Sequence, residues 1–271
     1  MDLVETTGAF DAVTLRLPAA AAALKATRVP RERLISLDVM RGFAVLGMIV
    51  VNTLAFSNDA YGYRPAFVFL AHSPWAGFTF ADFVFPAFIF MAGFSVAVSL
   101  QRNPRLDWHL FRRISTRSAE LLVIGILLTN IGWFGQMHHG AWRPMGVLQR
   151  IGICYFATAL LFVTCGPRAR LIVAGVVLLL YWPLTLIPVS HQASELLVPG
   201  ANFISWVDRT VLGTHLFATG SHGFDPEGLL STLPAIAQCL LGALAGEWLL
   251  KNRDMASARS APRASRWTCP L

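Results

Sequence analysis

The chain has 271 residues, of which 55% are hydrophobic and only 14% charged, with a mean hydropathy of +0.56. Soluble domains sit nearer 45–50% apolar and about 25% charged, and here the apolar excess comes in long blocks, which excludes a soluble globular protein. The net charge of +7 would suit a nucleic-acid binder, but the position of the basic residues argues for membrane topology instead.

Met1–Pro30 lacks the apolar core of a cleavable signal peptide and reads as a flexible cytoplasmic tail. Six apolar blocks follow, near Leu34–Phe56, Thr79–Leu100, Ser115–Ile131, Val147–Cys165, Leu171–Ile187 and Gly228–Leu250. Each is roughly the length that crosses a hydrocarbon core of about 30 Å. The expected fold is therefore all-α: a polytopic transmembrane bundle of about six helices over 31–250, seated in a lipid bilayer. Residues 251–271, rich in Ala, Arg and Ser, read as a disordered cytoplasmic tail.

The charges set the orientation. Lys25, Arg28, Arg31 and Arg33 precede the first block, and Arg102, Arg105, Arg112, Arg113 and Arg117 fall between the second and third. Arg168 and Arg170 separate the fourth from the fifth, while Lys251, Arg253, Arg259, Arg263 and Arg266 follow the sixth. The opposite loops hold Arg64, Arg143 and Arg209, with Arg150 at the mouth of the fourth block. This asymmetry places both termini in the cytoplasm. Nucleic acid is not an expected partner. Cys154, Cys165, Cys239 and Cys269 show neither zinc-site spacing nor a disulfide framework, and read as small buried hydrophobes or, for Cys269, a tail residue. No metal site is expected, since none of the scattered histidines (His138, His139, His191, His215, His222) has the i, i+4 spacing of a ligand pair.

The first block, LISLDVMRGFAVLGMIVVN, carries Asp38 and Arg41 near one end and Asn52 at the other. At about 100° per residue, Asn52 lies roughly 20° around the axis from Arg41 and roughly 40° from Asp38. One face is thus polar at both ends, about 20 Å apart. Lipid penalises such a stripe, so it should face protein or a water-filled cavity. An Asp–Arg pair anchoring a helix end at the headgroups is the simpler alternative.

Several polar residues fall on the side expected to be non-cytoplasmic. They are Asn52, His72 in the loop AHSPWAGFTFADFVFPAF, Asp82, Gln149, Arg150, Asp225 and Glu227. Together they suit one outward-facing pocket. Each also has a structural reading. Thr79-x-x-Asp82 fits a capping box, and Asp225-Pro226-Glu227 fits a helix start with Asp225 as N-cap. Gln149 suits a hydrogen bond across helices. Arg150 needs a partner, with Asp82, Asp225 and Glu227 the available carboxylates, or else a snorkelling position.

Four stretches, LISLDVMRGFAVLGMIVVN, HSPWAGFTFADFVFPAFIFMAG, GVLQRIGICY and DPEGLLSTLPAI, occur in this order and resemble successive signatures of the membrane acetyltransferases related to heparan-α-glucosaminide N-acetyltransferase, including the bacterial NagX-type branch. The resemblance implies transfer of an acetyl group from cytosolic acetyl-CoA to an amine or hydroxyl of an aminosugar or glycan on the far side. It also implies that His72, in the H-x-x-W-x-G-x-T-x-x-D segment, is the active-site residue and that Asn52 belongs to the same site. A neutral imidazole can take the amine proton or carry the acetyl group itself. Asn52 suits orienting the ring or donating to an oxyanion, and Asp82 suits setting the tautomer. Asp38, Arg41, Gln149, Arg150, Asp225 and Glu227 complete the expected substrate and cofactor set, with Arg112, Arg113 and Arg117 further candidates for CoA phosphates. The NagX-type likeness points to a bacterial inner membrane.

Members of that family continue with further helices, so the chain reads as shortened at its C-terminus. An amino-sugar transporter or uptake accessory, and an inactive remnant, are the alternative readings. A homo-oligomer is compatible with the residues, which also leave the acceptor sugar open.

Overall fold

The computed structural model describes residues 35–61, 68–73, 77–100, 106–131, 142–189, 198–219 and 222–260. Among them are seven α-helices: α1 (Ile35–Tyr61), α2 (Phe80–Leu100), α3 (Trp108–Thr129), α4 (Val147–Thr164), α5 (Pro167–Thr185), α6 (Phe203–Leu212) and α7 (Thr232–Ser260). A 3₁₀ turn, Val68–Leu70, precedes α2. Met1–Pro30, Trp75, His138, His139, His191 and the end of the chain from 261 lie outside the described residues. The chain divides into two compact units, Met1–Val39 and Met40–Leu271.

The protein is thus an all-helical, polytopic membrane protein. Five helices (α1, α2, α4, α5 and α7) are long and apolar enough to cross a membrane. The third expected span is present as α3, but Arg112, Arg113, Arg117 and Glu120 lie within it and keep it out of that class. The sixth expected span starts later than its sequence pattern suggested. Gly228–Ser231 forms turns rather than helix, and α7 then continues past Leu250 to Ser260.

Local chemistry places the helix ends. Asp107 caps α3 by accepting from the Leu110 amide at 2.6 Å, and Asn202 caps α6 by accepting from the Ser205 amide at 2.9 Å. Pro167 opens α5, where its missing N–H costs nothing. Gly213 closes α6 at φ +60°, a conformation that favours glycine.

The core is a seam of three helices that run the same way. Pro86 O accepts from Gln238 Nε2 at 3.1 Å, a Cβ on Gly242 would meet Phe90 O at 2.0 Å, and one on Gly246 would meet Phe94 O at 2.9 Å. These pairs advance together along both helices, so α2 and α7 are parallel. From the other side, a Cβ on Gly93 would lie 1.8 Å from Cys239 O. The two backbones are therefore in direct contact, the approach that small residues permit between membrane helices. Gly242-x-x-x-Gly246 serves such packing on α7.

The third member of the seam is α4, through Ile89, Cys154 and Cys239 at one level and Val96, Ala159 and Ala243 at the next. The neighbours run in the opposite sense. Along α3, Ile114 packs near Ala159, Ser118 Oγ donates to Gly152 O at 2.9 Å, and Gly125 abuts Gln149. Along α5, Arg170 meets Glu247 at 2.6 Å while Ala174 packs with Ala237 and Leu240. Along α1, Arg41 donates to Ser95 while Gly47 faces Val84 and Phe80. Hence α2, α4 and α7 all begin at the same end of the bundle, the end at which α1, α3 and α5 finish. The outer faces of α1 and α5 are apolar and exposed, as contact with lipid requires.

Candidate active site

The end at which α2 begins carries an imidazole and a carboxylate in contact. His72 Nδ1 lies 2.8 Å from Asp82 Oδ1. The other oxygen of Asp82 accepts from the Thr79 amide at 3.0 Å, from Thr79 Oγ1 at 3.0 Å and from the Ser73 amide at 3.3 Å. Thr79 Oγ1 in turn contacts Ala71 O at 2.8 Å and the Asp82 amide at 3.4 Å. The expected capping box has formed, and it serves a second purpose. Three donors pin one carboxylate oxygen, so the other is held in a fixed direction toward His72. The acceptor oxygen requires the neutral ring to carry its proton on Nδ1, which leaves the Nε2 lone pair outward. The His72 side chain is 54% exposed and that of Asp82 24%, so the pair is open to a substrate rather than sealed in a core.

Asn52 lies beyond Gly47 on α1 and reaches this same end. It is exposed, and among the described residues no hydrogen bond joins it to His72. Asp38, in the first turn of α1, is exposed and belongs to the amino-terminal unit.

The acidic segment before α7 is a tight turn rather than a helix start. Asp225 Oδ1 accepts from the Glu227 amide at 2.9 Å, and α7 begins only at Thr232. The expectation that Asp225 caps the last helix is corrected accordingly: its oxygens are taken by Arg143. Arg143 Nε donates to Asp225 Oδ2 at 2.9 Å and Nη2 to Oδ1 at 2.6 Å, while Nη2 also pairs with Glu227. Desolvation by itself would lower the Arg143 pKa, but the hydrogen bond and charge of Asp225, with Glu227, override it and hold the guanidinium above its ordinary value. Asn130 at the end of α3 fixes the Arg143 backbone, accepting its amide at 2.7 Å and donating to its carbonyl at 2.8 Å.

Arg150 was expected to pair with a carboxylate or to snorkel. Among the described residues no carboxylate pairs with it: its Nη2 donates to Pro226 O at 2.8 Å, to Gly228 O at 3.4 Å and to Ser231 Oγ. The turn takes Nη2 because Arg143 already occupies the carboxylates, while the buried Nε of Arg150 has no hydrogen-bond partner among the described residues. Gln149 is buried and bonds across to Thr129 Oγ1 of α3 at 3.3 Å, wedged against Gly125 and Gly146. It holds helices together. Arg143 is thus the residue that spacing alone failed to single out; the signal was a lone arginine in the otherwise charge-poor stretch between α3 and α4.

Below this layer, a cavity of about 470 Å³ opens among α1, α2, α3 and α4. Its polar lining is Arg41, Ser95, Arg117, Glu120 and Tyr155, set between apolar walls such as Met91. The Arg117 guanidinium lies 5.8 Å from the centre of the Tyr155 ring. A long donor molecule with anionic groups at one end and an uncharged arm suits such a lining. Among the described residues no three His, Cys, Asp or Glu side chains gather as a metal site requires.

The family model described as heparan-alpha-glucosaminide N-acetyltransferase, catalytic, matches residues 33–271. The heparan-alpha-glucosaminide N-acetyltransferase of Homo sapiens is 32% identical over 293 residues, covering 88% of this chain and 42% of the human protein. That of Mus musculus is 30% identical over 292 residues, covering 90% and 43%. The chain therefore spans less than half the length of these relatives, while the matched region takes in the His72–Asp82 pair, the Arg143 turn and the helical seam. The chain belongs to the family of the heparan-alpha-glucosaminide N-acetyltransferase catalytic domain.

Proposed function

We propose that the protein moves an acetyl group from acetyl-CoA, held in the α1–α4 cavity, to the amine of an aminosugar or glycan at the His72 end. The observation that carries this reading is the anchored carboxylate: Asp82, locked by three donors, faces His72 Nδ1 at 2.8 Å. An imidazole oriented this way presents Nε2 as a base. The amine nitrogen attacks the thioester carbonyl carbon, the N–C bond forms as the C–S bond breaks, and the amine proton passes to Nε2. His72 then returns that proton to the departing CoA thiolate, which leaves as the free thiol.

Arg41 and Arg117 supply positive charge for the CoA phosphates, and the apolar walls suit its pantetheine arm. Asn52, further along α1 than Gly47, is assigned to the same site. The distribution of basic residues supports a His72 end facing away from the cytoplasm, and the NagX-type resemblance supports a bacterial inner membrane.

The test is purified protein with labelled acetyl-CoA and glucosamine. Acetylated sugar that disappears in His72→Ala supports the reading. Sugar uptake into CoA-free vesicles, unchanged by the same substitution, would replace it with transport, and an inert wild-type chain would overturn it. Omitting the acceptor separates the two roles of His72: label retained on the protein marks an acetyl carrier, its absence a general base.

A further inference from the structure

Asp208 lies on α6, a helix that the apolar blocks did not announce. Its side chain is among the most completely buried in the protein, at 1% exposure. A buried carboxylate is costly, and an apolar side chain would fill the same space more cheaply unless the oxygens have a task. Their surroundings identify one. Oδ1 accepts from the Leu229 amide at 2.9 Å, and Oδ2 occupies the position a side chain at 228 would need, 1.9 Å from where a Cβ on Gly228 would sit. Gly228 is thus the residue type that lets the carboxylate reach the turn.

That turn is the one that serves both arginines. The Gly228 amide donates to Asp225 O at 3.0 Å, and Gly228 O receives Thr232 Oγ1 at 2.8 Å, Ser231 Oγ at 3.0 Å and Arg150 Nη2 at 3.4 Å. Upstream, Asp225 and Glu227 hold Arg143. The ionisable groups that reach Asp208 electrostatically are Arg150 of α4, Tyr181 of α5, Arg209 of α6 itself and Asp225 of the turn.

We propose that Asp208 is a positioning residue, which clamps the 225–229 turn so that its acids and carbonyls hold Arg143 and Arg150 at the acceptor end of the site. The kinetic part of this assignment rests on the acetyltransferase reading, and the structural part does not. Both are tested on the full chain, purified in detergent, by amide hydrogen exchange and by steady-state kinetics on Asp208→Ala and Asp208→Asn.

In Asp208→Ala, exchange in the peptide containing Leu229 should quicken about tenfold, with α2 and α4 peptides at wild-type rates. Asn keeps an acceptor for the Leu229 amide, so Asp208→Asn should fall between. The KM for glucosamine should rise roughly fivefold in Asp208→Ala, with the KM for acetyl-CoA unchanged. Unchanged exchange at Leu229, equal quickening throughout the bundle in both variants, or both KM values moving together would overturn the proposal. A wild-type chain without transfer activity sinks the enzymatic reading alone, because the exchange measurement still decides whether Asp208 clamps the turn.

Discussion

Asp82→Asn isolates the imidazole's tautomer from everything else Asp82 does. In the wild type one oxygen faces three donors, the Thr79 amide, Thr79 Oγ1 and the Ser73 amide, and the other faces His72 Nδ1. An asparagine has a single oxygen, and three donors claim it, so its NH₂ must turn toward His72. Nδ1 then has to accept, the ring proton moves to Nε2, and the base is lost while the shape is kept. The most such a tautomer reversal costs in a sealed triad is about 10⁴-fold in kcat. His72 is half exposed, so water offers partial compensation, and the expected loss here is about 10²–10³-fold, or about 3–4 kcal/mol of barrier. Folding should suffer little, since only the charge at the start of α2 is lost, worth about 0.3–1 kcal/mol. Initial rates with labelled acetyl-CoA, alongside a thermal melt, measure both. If Asp82→Asn turns over within about twofold of wild type while His72→Ala is dead, the tautomer argument is wrong.

Three further outcomes are expected. Gly93→Ala and Gly242→Ala put a methyl 1.8 Å and 2.0 Å from a backbone oxygen of the facing helix and should each cost about 1–3 kcal/mol or more; Gly175→Ala, with nothing within 4 Å, is the neutral control in the same melt. Arg143→Ala strands the fully buried Asp225 side chain together with Glu227 and should destabilise by about 3–5 kcal/mol, with Arg143→Lys only a partial rescue because the bidentate fork is lost. Burial pushes the Asp208 carboxyl from its ordinary 3.8 up to about 6, so the fold favours its neutral form. The stabilisation is fully present below pH 3.8 and is lost as pH rises through about 6, at most about 3 kcal/mol; in Asp208→Asn that component of the pH–stability profile should vanish, and its persistence would mean another group is responsible.

Much of the architecture was legible because a membrane imposes a simple rule: a spanning backbone must satisfy its own hydrogen bonds, so apolar blocks of sufficient length become helices. The blocks at Thr79–Leu100 and Val147–Cys165 return as α2 and α4 nearly residue for residue. Where polarity broke the pattern, sequence reading was weaker. The charged first half of α3 hid its start at Trp108, and α6, short and amphipathic outside the spans, left no block to find.

The local capping motif at Thr79–Asp82 is a matter of short-range spacing, and a chain of residues carries it openly; His72 was singled out as the candidate base by the family resemblance. Which charge meets which is different. Arg143 and Asp225 are separated by 82 positions and Asp208 and Leu229 by 21, and Arg150 found carbonyls because a neighbour had already taken the carboxylates. Composition and periodicity determined the helices, and the resemblance of four motifs to a known family supplied the candidate base. Only the folded bundle, by bringing α2, α4 and α7 into parallel contact, decided the pairing at their shared end, since electrostatic partners are chosen by distance in space and not along the chain.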